Sequence, residues 1–270
     1  MKFAICNEIF QDWKLEAAMA YAAQAGYDAI ELAPFTLAPS VTQIPPAERQ
    51  HIRESAARAG IAICGLHWVL AQTEGLYLNH HDPAIRQRTA KYFCDLVDFC
   101  ADVRGQVIVV GSPKQRNLLP GVTPLQAWDW ATATFRDAVQ RAEDRGVTIC
   151  LEPLAPTETD FINTAAEAIR FAEQFHSPHF QIILDVKAMC SETRPIPQII
   201  RESWPHFAHF HANDKNLKGP GFGEVDYRPI AAALKEVGYP GHISVEVFQF
   251  DEGPEAIATQ SLAYLKRIFE

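Results

Sequence analysis

The chain has 270 residues, of which 48% are hydrophobic and 21% charged, and its formal net charge is -9. This is the composition of an ordinary globular protein, and its negative charge repels phosphate backbones and anionic membrane surfaces. Nucleic acid and membranes are therefore not expected as partners. Because no signal-peptide pattern and no apolar run of about eighteen residues is found, a cytoplasmic location is expected.

Eight short β-rich runs alternate with longer helical patterns. Strands are predicted at about 2–7, 28–32, 61–67, 107–111, 147–152, 181–185, 207–212 and 242–247. Helices are predicted near 13–25, 46–59, 83–101, 124–145, 164–175, 196–203, 227–237 and 254–268. This alternation predicts an α/β fold, a single (β/α)₈ TIM barrel with one domain spanning 1–270. A doubly wound sheet is the alternative, but no Gly-x-Gly-x-x-Gly follows the first strand.

The connections that follow the strands are longer than those that follow the helices. Long loops are predicted at 33–45, 68–82, 112–123, 186–195 and 213–226. In barrels of this kind the chemistry lies on the face built by such loops, at the C-terminal ends of the strands. The loop that begins at Trp68 is rich in aromatic and apolar residues, and we expect it to act as a lid over that face.

Four ionisable residues close four successive predicted strands. They are Glu152, Asp185, His211 and Glu246. Burying a charge without a partner is costly, so three carboxylates and one imidazole at strand ends indicate convergence on one cation. Oxygen-dominated ligation with one nitrogen suits Mn²⁺, Mg²⁺ or Co²⁺. A solvated charge is the alternative interpretation for any one of these residues, but it does not explain four in succession.

Other polar residues near the same face have two interpretations each. Glu158 is either a surface charge or a hydrogen-bonding group aimed into the barrel mouth, and His67 is either a buried structural histidine or a substrate contact or proton relay. Lys187 is either a solvated charge or a contact for a carboxylate, a phosphate or a sugar oxygen. His209 lies two residues before His211 on the same side of the strand, and we expect it to be structural. Arg116 is a candidate anion contact.

These motifs resemble a known family. The strand-end quartet, the segment Glu152-Pro153-Leu154 with Glu158-Thr159 and Asn163-Thr164, and the stretch Gly221-x-Gly223-Glu224-x-Asp226-Tyr227 are similar to those of the xylose isomerase-like TIM-barrel superfamily. Within it the chain resembles sugar and sugar-phosphate isomerases and epimerases, especially the ketose 3-epimerases related to tagatose and psicose epimerase.

The resemblance implies a metal-dependent isomerase or epimerase of EC class 5 that acts on a ketose or related keto-sugar. It also implies one divalent ion, usually Mn²⁺ with Mg²⁺ or Co²⁺ substituting, and a homodimer or homotetramer. Proton abstraction next to the carbonyl would proceed through a cis-enediolate, whose developing charge the metal stabilises.

The resemblance also assigns roles to individual residues. Glu152, Asp185, His211 and Glu246 match the metal ligands, and the two glutamates match the catalytic acid/base carboxylates. Glu158 matches a group that binds sugar hydroxyls, and the resemblance places Trp13 and Phe248 in an apolar wall. Two positions depart from the pattern: Ala188 replaces a histidine and Leu217 replaces an arginine.

Three other functions are compatible with the same scaffold. A lyase or dehydratase acting on an inosose or a 3-keto-glycoside begins with the same proton abstraction at the same metal. A zinc-dependent apurinic endonuclease needs further ligands, and Gly111 stands where one of its histidines would be. A non-catalytic sugar-binding barrel would bind metal without exchanging a substrate proton.

Overall fold

A computed structural model describes residues 1–270, and its eight parallel strands form a closed barrel in sequence order. The strands are β1 (Lys2–Cys6), β2 (Ala29–Leu32), β3 (Ala62–Leu66), β4 (Val107–Val110), β5 (Thr148–Leu151), β6 (Phe180–Asp185), β7 (Phe207–Ala212) and β8 (His242–Val245). Pairing of β1 with β8 closes the ring. The predicted TIM barrel is confirmed.

Nine helices accompany the strands. They are α1 (Leu15–Ala25), α2 (Pro46–Ala59), α3 (Pro83–Asp102), α4 (Pro124–Arg145), α5 (Ala165–Glu173), α6 (Val186–Met189), α7 (Ile196–Ser203), α8 (Tyr227–Glu236) and α9 (Pro254–Phe269). None of them combines the length and apolarity that crossing a membrane requires.

The single turn α6 is the one helix that the sequence pattern did not predict. Four residues are too few to show a helical period. It forms because Asp185, the last residue of β6, caps it: Oδ1 accepts a 2.7 Å hydrogen bond from the backbone N–H of Ala188. The segment predicted as a loop at 186–195 therefore begins with a helical turn that directly follows the C-terminal end of β6.

Alternation along the strands separates two sets of side chains. One set, such as Ile149 and Leu151 of β5, belongs to the large apolar cluster between the sheet and the helices. The residues between them point into the barrel. Below the C-terminal level this interior is filled by two small clusters: Ala4, Ala29 and Cys64, and Val107, Val109, Cys150 and Ile183.

The same alternation fills the C-terminal level of the interior with polar side chains. Glu31 follows Ala29 in β2 at a spacing of two, Asp185 follows Ile183 in β6, and Glu152 follows Cys150 after β5. Parallel pairing places Asp185 beside His211 and His211 beside Ser244. The barrel thus has an apolar floor and a polar mouth.

Candidate functional site

The four strand-end residues meet at the C-terminal mouth of the barrel. Donor atoms of Glu152, Asp185, His211 and Glu246 all lie within 4.8 Å of one another, and all four residues are buried. Asp185 and His211 are held by the β6–β7 ladder, and the two glutamates follow the last residues of β5 and β8 directly. The structure therefore brings the whole predicted quartet together.

The quartet has the properties of a cation site. Burial, together with the charges of Glu246 and Asp185, raises the pKa of Glu152 to about 8. Oε2 of Glu246 and Nδ1 of His211 are buried and have no hydrogen-bond partner. Three carboxylates and one imidazole suit a hard or borderline divalent ion. These side chains could therefore hold a metal ion, which would relieve their repulsion and satisfy both atoms.

Asp185 is oriented by its neighbours. Its Oδ1 caps α6, and its Oδ2 accepts a hydrogen bond from the side-chain amide of Asn213. Asn213 is held in turn, because its Oδ1 accepts from the backbone N–H of Lys187 at 2.7 Å and its backbone carbonyl accepts from the hydroxyl of Tyr227 at 2.7 Å. The carboxylate of Asp185 is thus fixed before any ligand binds.

Glu246 is held by aromatic and imidazole groups. The indole Nε1 of Trp68 donates a 2.7 Å hydrogen bond to its Oε1, and Nδ1 of His67 lies 3.5 Å from the same oxygen. Burial alone would raise the pKa of Glu246, but His211 and His67 outweigh it and hold that pKa below its ordinary value. The site therefore favours the ionised form of this carboxylate.

Glu152 occupies space that only a glycine at position 111 leaves free. A Cβ built on Gly111 would lie 1.6 Å from Oε2 of Glu152. A histidine ligand here, which the endonuclease function needs, would displace Glu152. Arg116 is buried, and its Nη1 donates a 2.7 Å hydrogen bond to the backbone carbonyl of Glu152. Arg116 thus supports the end of β5, while its Nε and Nη2 are buried without a hydrogen-bond partner and its expected role as an anion contact stays a prediction.

A cavity of about 340 Å³ lies over the quartet. Its lining includes both glutamates of the quartet, with Trp68, Glu158, Lys187 and Phe248 around the mouth. The rings of Trp68 and Phe248 stack with centroids 5.9 Å apart. The cavity thus has the charged side chains of the barrel mouth at its base and an aromatic wall at its side. This combination is typical of a site for a small polar ligand.

Lys187 is the buried cation of this cavity. Its Nζ lies 2.8 Å from Oε1 of Glu158 and 3.9 Å from the ring centroid of Phe248. Burial lowers its pKa, but Asp185 and Glu158 outweigh this and raise that pKa above its ordinary value. Leu217, which replaces the arginine of the resembled pattern, contributes its backbone: its carbonyl accepts from the N–H of Phe248 at 2.8 Å.

Two predicted substrate contacts do not line this cavity. His67 is fully buried, with Nε2 2.9 Å from Oε2 of Glu8. Burial lowers the pKa of His67, but Glu8, Glu246 and Glu31 together outweigh burial and raise that pKa to about 10. Trp13 packs against Phe10 and Tyr21 at centroid distances of 5.5 and 5.4 Å. It lines a neighbouring cavity of about 670 Å³ that shares only Trp68 and Gln72 with the first.

The loop after β3 forms one wall of the cavity. Trp68, Ala71 and Gln72 line the cavity, whereas the following residues are tied to the loop after β4. The hydroxyl of Tyr77 donates to the backbone carbonyl of Asn117 at 2.7 Å, and further hydrogen bonds join 78–79 to 115–116. These contacts join the loop after β3 to the loop after β4, and the lid role expected for the former stays a prediction.

Sequence reasoning missed Glu31 and Glu8. Glu31 is fully buried, with Oε2 2.9 Å from Nε2 of His209 and 3.2 Å from Nε2 of His211. A signal was present, since Glu31 is the only charge in the apolar run Ala29-Ile30-Glu31-Leu32. His209, expected to be structural, serves as a partner of Glu31.

The comparisons with known proteins agree with this architecture. A family model described as xylose isomerase-like TIM barrel matches residues 19–268. D-psicose 3-epimerase of Ruminiclostridium cellulolyticum is 28% identical over 228 residues, which cover 84% of this chain and 75% of that protein. The 3-dehydro-D-guloside 4-epimerase of Escherichia coli is 25% identical over 275 residues, which cover 98% of this chain and 99% of that protein.

Solved structures show the same fold. The crystal structure of D-psicose 3-epimerase with D-tagatose from Clostridium cellulolyticum H10 has a TM-score of 0.88 at 22% identity and covers 100% of both chains. The family model spans almost the whole sequence, and the closed barrel is that of the matched fold. The chain belongs to the xylose isomerase-like TIM barrel family.

Proposed function

We propose that this chain is a divalent-metal-dependent sugar epimerase of the ketose 3-epimerase type. The observation that carries the proposal is the convergence of four buried ligand side chains under one cavity that also contains two carboxylates able to transfer protons. A cavity of about 340 Å³ is at the lower end of the size range of small-molecule sites. The similarity to proteins named as sugar epimerases supports the same function.

Glu152, Asp185, His211 and Glu246 would hold the cation, with Mn²⁺ as the expected ion and Mg²⁺ or Co²⁺ as substitutes. When bound, the cation supplies positive charge next to sugar oxygens, which favours loss of the neighbouring C–H proton. The protein contributes a fixed arrangement of ligands, through the cap of Asp185 on α6 and the hydrogen bond of Trp68 to Glu246.

The proton transfer is assigned to Glu152 and Glu246. They follow β5 and β8, which are three strands apart around the ring of eight, so they enter the cavity from different sides. One carboxylate removes the proton from one face of the sugar carbon, and the other returns a proton to the opposite face. A positioned acid or base contributes about 10²–10⁴ in rate.

The remaining cavity residues would bind and orient the sugar. Oε2 of Glu158 is buried and has no hydrogen-bond partner, whereas Oε1 is bonded to Lys187. The free oxygen can accept a hydrogen bond from a sugar hydroxyl, and the ammonium of Lys187 can donate to a sugar oxygen. Phe248 and Trp68 offer apolar faces to the C–H edges of the ring.

Solvent-deuterium exchange tests the proposal. Protein stripped with EDTA and reloaded with Mn²⁺ is incubated in D₂O with D-psicose, D-fructose, D-tagatose and L-ribulose, and deuterium at C3 is measured by NMR. Exchange at C3 that requires the metal and yields the C3 epimer supports the proposal. Exchange with elimination of a leaving group would indicate a lyase, and metal binding without any exchange would indicate a binding protein.

A second candidate is an epimerase of keto-glycosides. The Escherichia coli relative matches this chain end to end, and the cavity of about 670 Å³ that adjoins the first cavity at Trp68 and Gln72 offers room for a second group on the sugar. Methyl and phenyl 3-keto-glucosides added to the same panel test it. Metal-dependent exchange at C4 of the glycosides, with none in the free ketoses, would favour this candidate over the first.

A further inference from the structure

Glu31 is a fully buried carboxylate that neither belongs to the quartet nor lines the cavity. It lies near the end of β2 and contacts two imidazoles of β7, with Oε2 2.9 Å from Nε2 of His209 and 3.2 Å from Nε2 of His211. Its Oε1 lies 3.3 Å from the same atom of His211. A buried charge is costly without such partners, so these contacts explain how Glu31 is tolerated.

The two ring nitrogens of His211 face different groups. Nε2 faces Glu31, whereas Nδ1 lies 3.1 Å from Oε2 of Glu246 on the side of the quartet and has no hydrogen-bond partner. An ionised carboxylate only accepts hydrogen bonds, so Nε2 must carry the proton that Glu31 accepts. In a neutral imidazole the lone pair is then on Nδ1.

We propose that Glu31 is a positioning residue that selects the Nε2-protonated form of His211, so that Nδ1 is the atom that binds the cation. A carboxylate behind a ligating histidine fixes the ring orientation and increases the basicity of the coordinating nitrogen. The proposal rests on the metal site of the proposed function and is independent of which sugar is the substrate.

A rival arrangement uses the same residues. Donor atoms of Cys6, Glu31 and His211 also lie within 4.8 Å of one another, so Glu31 itself could be a ligand. Two observations favour the positioning role. Glu31 is already shared between two histidines, and the thiol of Cys6 lies 3.8 Å from Glu31 and 3.7 Å from Ser244 as a hydrogen-bonding neighbour. The experiment separates the two arrangements.

The test is calorimetric titration of Mn²⁺ into the EDTA-stripped full chain. Glu31→Gln keeps the shape of the side chain but removes its charge, and we expect Mn²⁺ to bind about 10–100-fold more weakly. Raising the Mn²⁺ concentration should restore occupancy. An affinity within about twofold of the wild type would overturn the proposal.

Two control variants accompany this titration. Asp28→Asn removes another carboxylate from the same chain segment, directly before β2. In the wild type, Oδ2 of Asp28 accepts a 2.8 Å hydrogen bond from the backbone N–H of Phe3. The Mn²⁺ affinity of this variant should equal that of the wild type. Cys6→Ala should also leave the affinity unchanged. A loss in Cys6→Ala as large as that in Glu31→Gln would place the ion on the rival site and overturn the proposal.

A measurement on the wild type covers the case in which Glu31→Gln does not fold. In ¹⁵N-histidine-labelled protein loaded with Mg²⁺, long-range ¹H–¹⁵N NMR should show the ring proton of His211 on Nε2. A proton on Nδ1 would overturn the proposal. If Mn²⁺ binding depends on Glu31 but no sugar exchanges deuterium, the inference stands and the proposed function fails.

Discussion

The indole N–H of Trp68 donates a 2.7 Å hydrogen bond to the carboxylate of Glu246, and Trp68 does so with a backbone φ of 50°. A left-handed conformation in a residue other than glycine costs about 1–3 kcal/mol and persists only where the surroundings impose it. Here the ring is held between Phe35 and Phe248, each at a centroid distance of 5.9 Å. The aromatic stack thus orients a carboxylate of the quartet.

The first prediction concerns that hydrogen bond. Trp68→Phe keeps an aromatic ring but removes the donor, and a hydrogen bond to a charged group contributes about 1.5–3 kcal/mol. We expect kcat to fall about 10-fold or more while the protein stays folded. Phe35→Leu, which disturbs the stack and leaves the donor in place, should have a smaller effect. Equal losses in the two variants would assign the role of Trp68 to packing.

The second prediction concerns the proton-transferring pair. Glutamine at position 152 or 246 keeps the shape and a carbonyl oxygen for the metal, but it cannot take up a proton at neutral pH. Glu152→Gln and Glu246→Gln should each lower kcat at least about 10²-fold, with Mn²⁺ still bound. Steady-state kinetics and calorimetry measure the two quantities separately.

Isotope exchange shows which face each carboxylate serves. In an epimerase, each variant should retain deuterium wash-in from one epimer only, because the remaining carboxylate still reaches one face. In an isomerase or a lyase that works on one face, one variant should keep exchange and the other should lose it. Full activity with bound metal in either variant would leave that carboxylate as a ligand only.

The third prediction follows from the space beside Glu152. Gly111→Ala places a Cβ where Oε2 of Glu152 lies, so the carboxylate must move and Mn²⁺ should bind more weakly. Gly146→Ala is the control: it is strained at φ 67° at the end of α4, with nothing near the added Cβ. It should lower the free energy of unfolding by about 1–2 kcal/mol without changing Mn²⁺ affinity. Unchanged affinity in Gly111→Ala would contradict the tight fit.

The fourth prediction concerns Lys187, the buried cation of the cavity. Lys187→Met removes the ion pair with Glu158 and the charge over Phe248, so KM for the substrate should rise about 10-fold with a smaller change in kcat. Lys218→Met is the matched control, because Lys218 pairs with Glu252 and does not line the cavity. If both variants change KM equally, Lys187 does not contact the substrate.

The fifth prediction concerns metal removal. A ligand that binds only the folded state at 100 times its Kd stabilises that state by about 2.7 kcal/mol. Saturating Mn²⁺ should therefore raise the melting temperature of the EDTA-treated protein by roughly 5–10 °C. In His211→Ala this shift should shrink, and excess Mn²⁺ should restore part of it. A full shift in His211→Ala would exclude the imidazole from the ligand set.

The barrel and the position of the quartet could be predicted because both depend on local sequence patterns. Apolar runs of four to six residues between helical stretches define strands wherever their partners lie, and a residue at a strand end reaches the mouth of any parallel barrel. Glu152, Asp185, His211 and Glu246 were found in this way. Residues whose role depends on the direction of a side chain could not be found by position alone.

The sequence by itself therefore determined a (β/α)₈ barrel with four ionisable residues at the ends of consecutive strands. Only the tertiary structure decided that Trp13 lines a second cavity, that Arg116 supports a backbone carbonyl, that Trp68 contacts Glu246 and that Glu31 contacts His211. Trp68 and Glu246 are 178 positions apart, as are Glu31 and His209. Closure of the barrel joins such pairs, because β1, β2 and β3 meet β7 and β8 only when the sheet forms a ring.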